Sequence, residues 1–189
     1  MNGDSYLHAV RGGPEVWRYA FPLGANQPVE DLYVRFAHGT GIFECAPGRH
    51  VDVLTWPAAN AIVVAAASAV YLVDPGRPEQ FSGFAAPVEI TGVTFDETGR
   101  HMFVADSLRI YAFSPDRLLR WISEPLDGYG ARFCGCGGRV LAVELKQSEP
   151  EWEADDEAAS VIRLRTEDGT ILRSRFRLAR RYWAKSSAA

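Results

Sequence analysis

The sequence predicts an all-β fold assembled from antiparallel four-stranded meanders, and two observations carry that expectation. From Asp31 onward, short β-rich runs are cut by turn residues at nearly regular intervals, the spacing expected of a sandwich, barrel or propeller. Three stretches repeat one pattern of apolar strand, break, apolar strand: NAIVVAAASAVYLVD from Asn60, RHMFVADSLRIYAFS from Arg100 and RVLAVEL from Arg139. Their starts lie 40 and 39 residues apart, close to the ~40–45 residue period of propeller blades.

Residues 1–30 hold Gly3, Gly12, Gly13 and Gly24 together with Pro14, Pro22 and Pro28, and are expected to form an irregular leader with one strand around Trp17 to Phe21. A first unit is read from DLYVRF at Asp31, GIFECA at Gly41 and HVDVLTW at His50, and a second begins at Asn60. The clearest unit runs from Glu89 to Glu124. Ile90, Val93 and Phe95 mark its first strand, and DETG (Asp96 to Gly99) supplies a turn ending in a glycine that tolerates positive φ. HMFVADS, LRIYAFS, a turn at Pro115 to Arg117 and LLRWISE complete it. The fourth unit starts at Arg139, is interrupted by an insertion from Lys146 to Ala159, and resumes with VIRLRT (Val161 to Thr166) and ILRSRFRL (Ile171 to Leu178). The reading is therefore one all-β domain of about four meander units over 31–183, with Tyr182 and Trp183 packing back and a polar tail at 184–189 that frays.

The segment GVTFDETGRHMFVADSLRIYAFSPDRLLRW resembles a blade of the bacterial WD40, lactonase-like or quinoprotein-like propellers. The resemblance implies an incomplete or small propeller-like arrangement, and a closed ring of four blades, an open half-propeller and a twisted sheet all remain open. The chain has no repeated Trp-Asp or Gly-His signature, and four units stand at the lower end of the usual blade number. In size and blade pattern it also resembles small immunity proteins of polymorphic toxin systems. That second resemblance implies a cytoplasmic protein that neutralises a cognate toxin by binding it.

Composition narrows the function classes. The 189 residues are 47% apolar and 12% aromatic, enough for a packed core and too apolar for a disordered chain. A net charge of −4 speaks against a whole-chain nucleic-acid or membrane binder. No basic region followed by an apolar run opens the sequence, so a cytoplasmic location is expected. The longest apolar stretch, Ala58 to Val73, interrupted by Asn60 and Ser68 but by nothing charged, is shorter than the ~20 residues that span a bilayer. Cys45, Cys134 and Cys136 are an odd number of thiols, expected to be reduced.

No catalytic signature is present: G-x-S-x-G, a P-loop and H-E-x-x-H are all absent from the sequence. Cys134-Gly135-Cys136 offers two thiols one residue apart, but zinc ordinarily takes four ligands with a C-x₂₋₄-C pair. His8, His38, His50 and His101 stand at no matching spacing. The glycine-rich segment is read as a hairpin turn between strands at Gly130 to Phe133 and Arg139 to Leu145. His101 with Asp106 and Asp116 is read as a set of rim residues. No catalytic residue, metal or cofactor is assigned.

Charge is segregated along the C-terminal third. ELKQSEPEWEADDE, Glu144 to Glu157, carries a local net of −6, and Val161 to Ala189 a net of +6. Arginines alternate with apolar residues, Arg163 and Arg165 in one strand, Arg173, Arg175 and Arg177 in the next. Strict alternation would place five arginines on one face of a hairpin closed by EDGT. The stripe is a solvated face, is neutralised by the acidic segment, or forms a secondary site for an anion or an acidic partner.

Trp152 among the acids has the character of an interface anchor, and clustered acids accelerate association with a basic partner. The sequence thus favours a non-enzymatic protein-binding protein of the immunity type. Its contacts would be Glu149, Glu151, Trp152, Glu153, Asp155, Asp156 and Glu157, and its partner a protein, such as a basic toxin domain. Nucleic acid is not an expected partner. A propeller-like hydrolase or ligand-binding protein using a central cleft, and a scaffold associating through sheet edges, are the alternatives.

Overall fold

The computed structural model describes residues 8–13, 15–20, 30–36, 39–45, 51–146 and 159–178, with backbone alone at 8–13, 20, 129, 159 and 173–178. These residues form sixteen strands in four four-stranded sheets, and no α-helix occurs among them. The all-β, meander-built expectation holds.

The first sheet contains β1 (His8–Gly13), β2 (Val16–Ala20), β3 (Glu30–Phe36) and β4 (Gly39–Cys45), in the order β1-β2-β4-β3. β2 is the strand expected around Trp17 to Phe21, and β1 is a further strand in the segment read as an irregular leader, where glycine and proline interrupt the apolar pattern. β2 and β4 pair in parallel, so this sheet is two hairpins laid side by side, whereas the other three are antiparallel meanders.

The second sheet runs β5 (Val51–Trp56), β6 (Ala61–Ala66), β7 (Ala69–Asp74) and β8 (Arg77–Ala85) in sequence order. HVDVLTW therefore opens the second sheet and does not complete the first. Its pairing with β6 is continuous from Val51↔Ala66 to Trp56↔Ala61, and Trp56 is fully buried in a core shared with the third sheet. The third sheet, β9 (Ile90–Phe95), β10 (Met102–Asp106), β11 (Ile110–Phe113) and β12 (Leu119–Ile122), reproduces the expected Glu89 to Glu124 unit strand for strand. The fourth comprises β13 (Tyr129–Gly137), β14 (Val140–Lys146), β15 (Ala159–Arg165) and β16 (Ile171–Leu178).

The sheets stack face to face, and each neighbouring pair shares one apolar cluster. Between the first and second lie Trp17, Tyr19, Phe36, Phe43, Val64 and Tyr71. Tyr19 stacks on Phe43 at 4.3 Å between ring centroids, and its hydroxyl donates to the Pro78 carbonyl at 2.7 Å. Trp56, Val63, Leu72, Ile90, Met102 and Val104 fill the second junction. Phe103, Ile110, Leu141, Val143, Leu145 and Leu164 fill the third.

β9 lies beside both β5 and β13, as the inner strands of propeller blades do. Among the described residues no apolar cluster joins the fourth sheet to the first. Among the described residues the arrangement is a propeller-like series of four blades.

Candidate functional site

The fourth sheet carries the charged sequences. Its pleat sorts side chains between two faces. Phe133, Leu141, Val143, Ile162, Leu164 and Ile171 pack toward the third sheet. Their alternates form the outer face, where the register aligns Arg132, Glu144 and Val161 in one row and Gly135, Ala142, Arg163 and Leu172 in the next, with Val140 opposite Arg165.

Arg163 and Arg165 are exposed there. Arg165 meets Asp168 at 3.0 Å and Arg139 meets Glu167 at 2.8 Å, so acids of the 166–170 turn balance part of the charge. These pairs are about half exposed or more, and solvent screening leaves them little stabilising weight.

A single five-arginine stripe requires Arg163 to face an arginine across the hairpin. The register instead sets Arg163 opposite Leu172 and Ser160 opposite Arg177, because the hairpin closes with Leu164 opposite Ile171, and the two extra residues of β16 between Leu172 and Phe176 keep that parity. Alternation within each strand was legible, but the register at which the turn closes was not. The side chains of Arg173, Arg175 and Arg177 lie outside the described residues.

Glu149, Glu151, Trp152, Glu153, Asp155, Asp156 and Glu157 also lie outside the described residues. What the structure places is the root of their segment. Lys146 pairs with Ala159 and Leu145 with Ser160, and both Leu145 and Ser160 are buried. The acidic segment therefore joins two neighbouring strands in good register. A two-residue turn commonly suffices for such a join, whereas residues 147–158 number twelve.

The Cys134-Gly135-Cys136 segment is strand, not turn: β13 continues to Gly137, with a shift in register between Phe133 and Gly135. The hairpin turns at Gly138 and Arg139 instead. Burial and the nearby carboxylates of Asp96 and Glu97 push the Cys136 thiol up to about 11, and burial with Glu144 raises Cys134. Both sulfurs are thus protonated near neutral pH and are poor nucleophiles. Among the described residues no group of three His, Cys, Asp or Glu side chains is arranged to hold a metal.

His101 is not gathered with Asp106 and Asp116. Its Nδ1 lies 2.7 Å from Asp96 Oδ2. Asp96 Oδ1 accepts the Thr98 hydroxyl at 3.0 Å and the Arg100 amide at 2.8 Å. The turn closes through Gly99, whose φ of 65° lies in the left-handed region. Burial works to raise the Asp96 carboxyl, but the contacts with His101, Thr98 and Arg100 outweigh it and hold the carboxyl below the usual range. A carboxyl depressed by folding contributes stability that is complete above its unfolded value, about pH 4, and is lost as pH falls through the folded value. Asp96→Asn should therefore be less stable at neutral pH and show a shallower loss in acid. Urea titrations across the acid range check this, and parallel acid limbs for the two proteins would contradict it.

Between the second and third sheets lies a cavity of about 20 Å³ lined by Val70, Leu72, Phe84, Met102 and Phe113 together with Arg117. It is far smaller than the ~300–1,000 Å³ of ligand pockets. The Arg117 guanidinium donates to the carbonyls of Ala59 and Asn60, both at 3.1 Å, and so ties the two sheets together. Asp116, the other rim candidate, accepts a hydrogen bond from Ser114.

Compared with known proteins, the chain matches no protein-family model, and no curated protein matches it. No helix among the described residues is long and apolar enough to cross a membrane.

Proposed function

We propose that this protein is a non-enzymatic, cytoplasmic protein-binding module, an inhibitor of the immunity type, whose fourth sheet presents the acidic segment to a basic partner. The observation that supports the reading most directly is the placement of that segment. Twelve residues with six acids and a central tryptophan connect two strands whose pairing continues to their last residues. Their insertion serves no closing requirement of the hairpin. Long connections within compact domains are characteristically functional or linker-like, and an acid-rich one steers association with a basic surface. A single tryptophan within it offers the kind of anchor that dominates interface energetics.

The test is capture of partners from the native cell, followed by kinetics with the partner recovered. Replacing Glu149, Glu151, Glu153, Asp155, Asp156 and Glu157 by serine should lower the association rate by ~10-fold or more and flatten its salt dependence. Trp152→Ala should act mainly on the dissociation rate. Unchanged affinity and on-rate in the serine variant would remove the segment from the interface.

A further inference from the structure

We propose that the basic protein bound by the acidic segment is held at a second point, Leu108 at the tip of the β10–β11 turn, which seats in an apolar cleft of that protein. The inference rests on the protein-binding reading above and adds to it an anchor on the neighbouring sheet. It begins from a residue that its own turn does not explain. Leu108 is 47% exposed, whereas turn tips ordinarily carry glycine, proline, asparagine, aspartate or serine.

The chain builds this turn twice. In Asp74-Pro75-Gly76-Arg77 one carboxylate oxygen accepts the third and fourth amides, at 2.9 and 3.2 Å. In Asp106-Ser107-Leu108-Arg109 the corresponding oxygen accepts the corresponding amides, at 2.7 and 2.6 Å. Glycine stands at the third position of one and leucine at the third position of the other. A Cβ built on Gly76 would meet only Asp74 Oδ1, at 3.5 Å, so the geometry admits either residue and demands neither.

An exposed leucine by itself is ordinary on a protein surface. Leu108 is set apart by how firmly its backbone is held. The second oxygen of Asp106 accepts the buried Tyr111 hydroxyl at 2.7 Å, a brace that the Asp74 turn lacks. The Leu108 amide is fixed by Asp106, and its carbonyl accepts the Leu126 amide at 2.8 Å. A side chain carried on a backbone ordered in advance loses less freedom on binding.

The place of Leu108 in the fold joins it to the acidic segment. That segment connects β14 and β15, the two middle strands of the fourth sheet, as the Leu108 turn connects β10 and β11 in the third. The stretch after β12 bridges them. Leu126 bonds to Leu108, and a Cβ on Gly128 would lie 2.9 Å from the Lys146 carbonyl and 3.0 Å from Leu145 Cβ. Leu108 and the root of the acidic segment are thus one sheet spacing apart, ~10 Å. Between them Glu124, Asp127 and Lys146 are exposed and Arg109 is half-buried, so charge on this ground is near balance. The acids of the segment supply the attraction, and Leu108 supplies apolar contact. The partner that fits is a protein with an apolar cleft beside a basic surface.

Photo-crosslinking in the native cell, then kinetics with the purified crosslinked protein, test the proposal. A photoreactive amino acid in place of Leu108 should join the same protein as one in place of Trp152. A product from position 152 alone overturns the anchor and leaves the acidic-segment reading standing, whereas a product from position 108 alone, or from neither, overturns both. In the kinetics, Leu108→Ser should raise the dissociation rate ~10–30-fold. Its association rate and salt dependence should stay within about twofold of the wild type, the reverse of the serine variant of the acidic segment. Leu108→Met, which keeps the apolar bulk, should bind within about threefold of the wild type, and an unchanged urea midpoint in both variants separates lost contact from lost fold. A dissociation rate unchanged by Leu108→Ser would overturn the anchor.

Discussion

Trp56→Ala should lower the unfolding free energy by about 4 kcal/mol. Trp56 ends β5 with no exposed surface and packs among Ala59, Ala61, Val63, Ile90 and Met102. Removing the indole forfeits its transfer from water and leaves a cavity between two sheets that the rigid strands on either side relax into only partly. The indole also makes a polar link between blades. Its N–H donates to the Gly99 carbonyl at 2.6 Å, fastening the end of β5 to the Asp96 to Gly99 turn of the next sheet. A buried hydrogen bond of this kind adds about 1 kcal/mol. Trp56→Phe retains most of the ring contact and loses that bond, so its cost should be smaller, about 1–2 kcal/mol. Urea unfolding measures both as shifts in midpoint at constant slope. A cost below ~1 kcal/mol for the alanine variant would mean that the second and third sheets do not meet across Trp56.

The same residue shows where sequence reading stops. Strands were legible wherever turn chemistry brackets them. DETG and the Pro115 to Arg117 turn delimit β9 to β12 completely, because such turns depend on the few residues within them. Sheet membership depends on more. β5 reads equally well as the last strand of one meander or the first of the next, and its continuous pairing with β6, with Trp56 buried against the third sheet, decides between them. β2 was expected around Trp17 to Phe21, but β1 escaped notice for the opposite reason: a strand ending in Gly12 and Gly13 beside Pro14 lacks the alternation that marks a half-buried strand.

At the candidate site, the alternation of Arg163 and Arg165 with Ile162 and Leu164 was visible, and the burial pattern of β15 follows it. The relation of these arginines to those of β16 was not visible, since it depends on the turn closing with Leu164 opposite Ile171. Asp96 was read only as the start of the DETG turn and Asp106 as a polar rim residue. Their work is done by backbone amides and by a histidine and a tyrosine five residues ahead, and only the closed turns bring these within reach.

Asp106→Ala should be about as costly as the loss of Trp56, at ~3–5 kcal/mol, though by a different mechanism. Asp106 is 1% exposed. One carboxylate oxygen accepts the amides of Leu108 and Arg109, at 2.7 and 2.6 Å, and the other accepts the Tyr111 hydroxyl at 2.7 Å. Alanine leaves two amides and a buried hydroxyl without their acceptor, and each such orphan costs ~1–3 kcal/mol. Burial and the bond to Asp106 both push the Tyr111 hydroxyl up from its ordinary value, so it is a donor at neutral pH. Asp106→Asn preserves one acceptor oxygen for the amides and should cost less, about 1–2 kcal/mol. Tyr111→Phe alone should cost ~1 kcal/mol, and the double variant less than the sum, since each change removes the same bond. The second sheet provides the internal control. Asp74 caps its β7–β8 turn through the Gly76 and Arg77 amides, at 2.9 and 3.2 Å, with its other oxygen 3.7 Å from the largely exposed Arg77 guanidinium and no tyrosine. Asp74→Ala orphans groups that water reaches and should cost ~1–2 kcal/mol. Equal losses at the two positions, measured by urea unfolding, would show that the turn amides alone carry the effect and that Tyr111 adds nothing to Asp106.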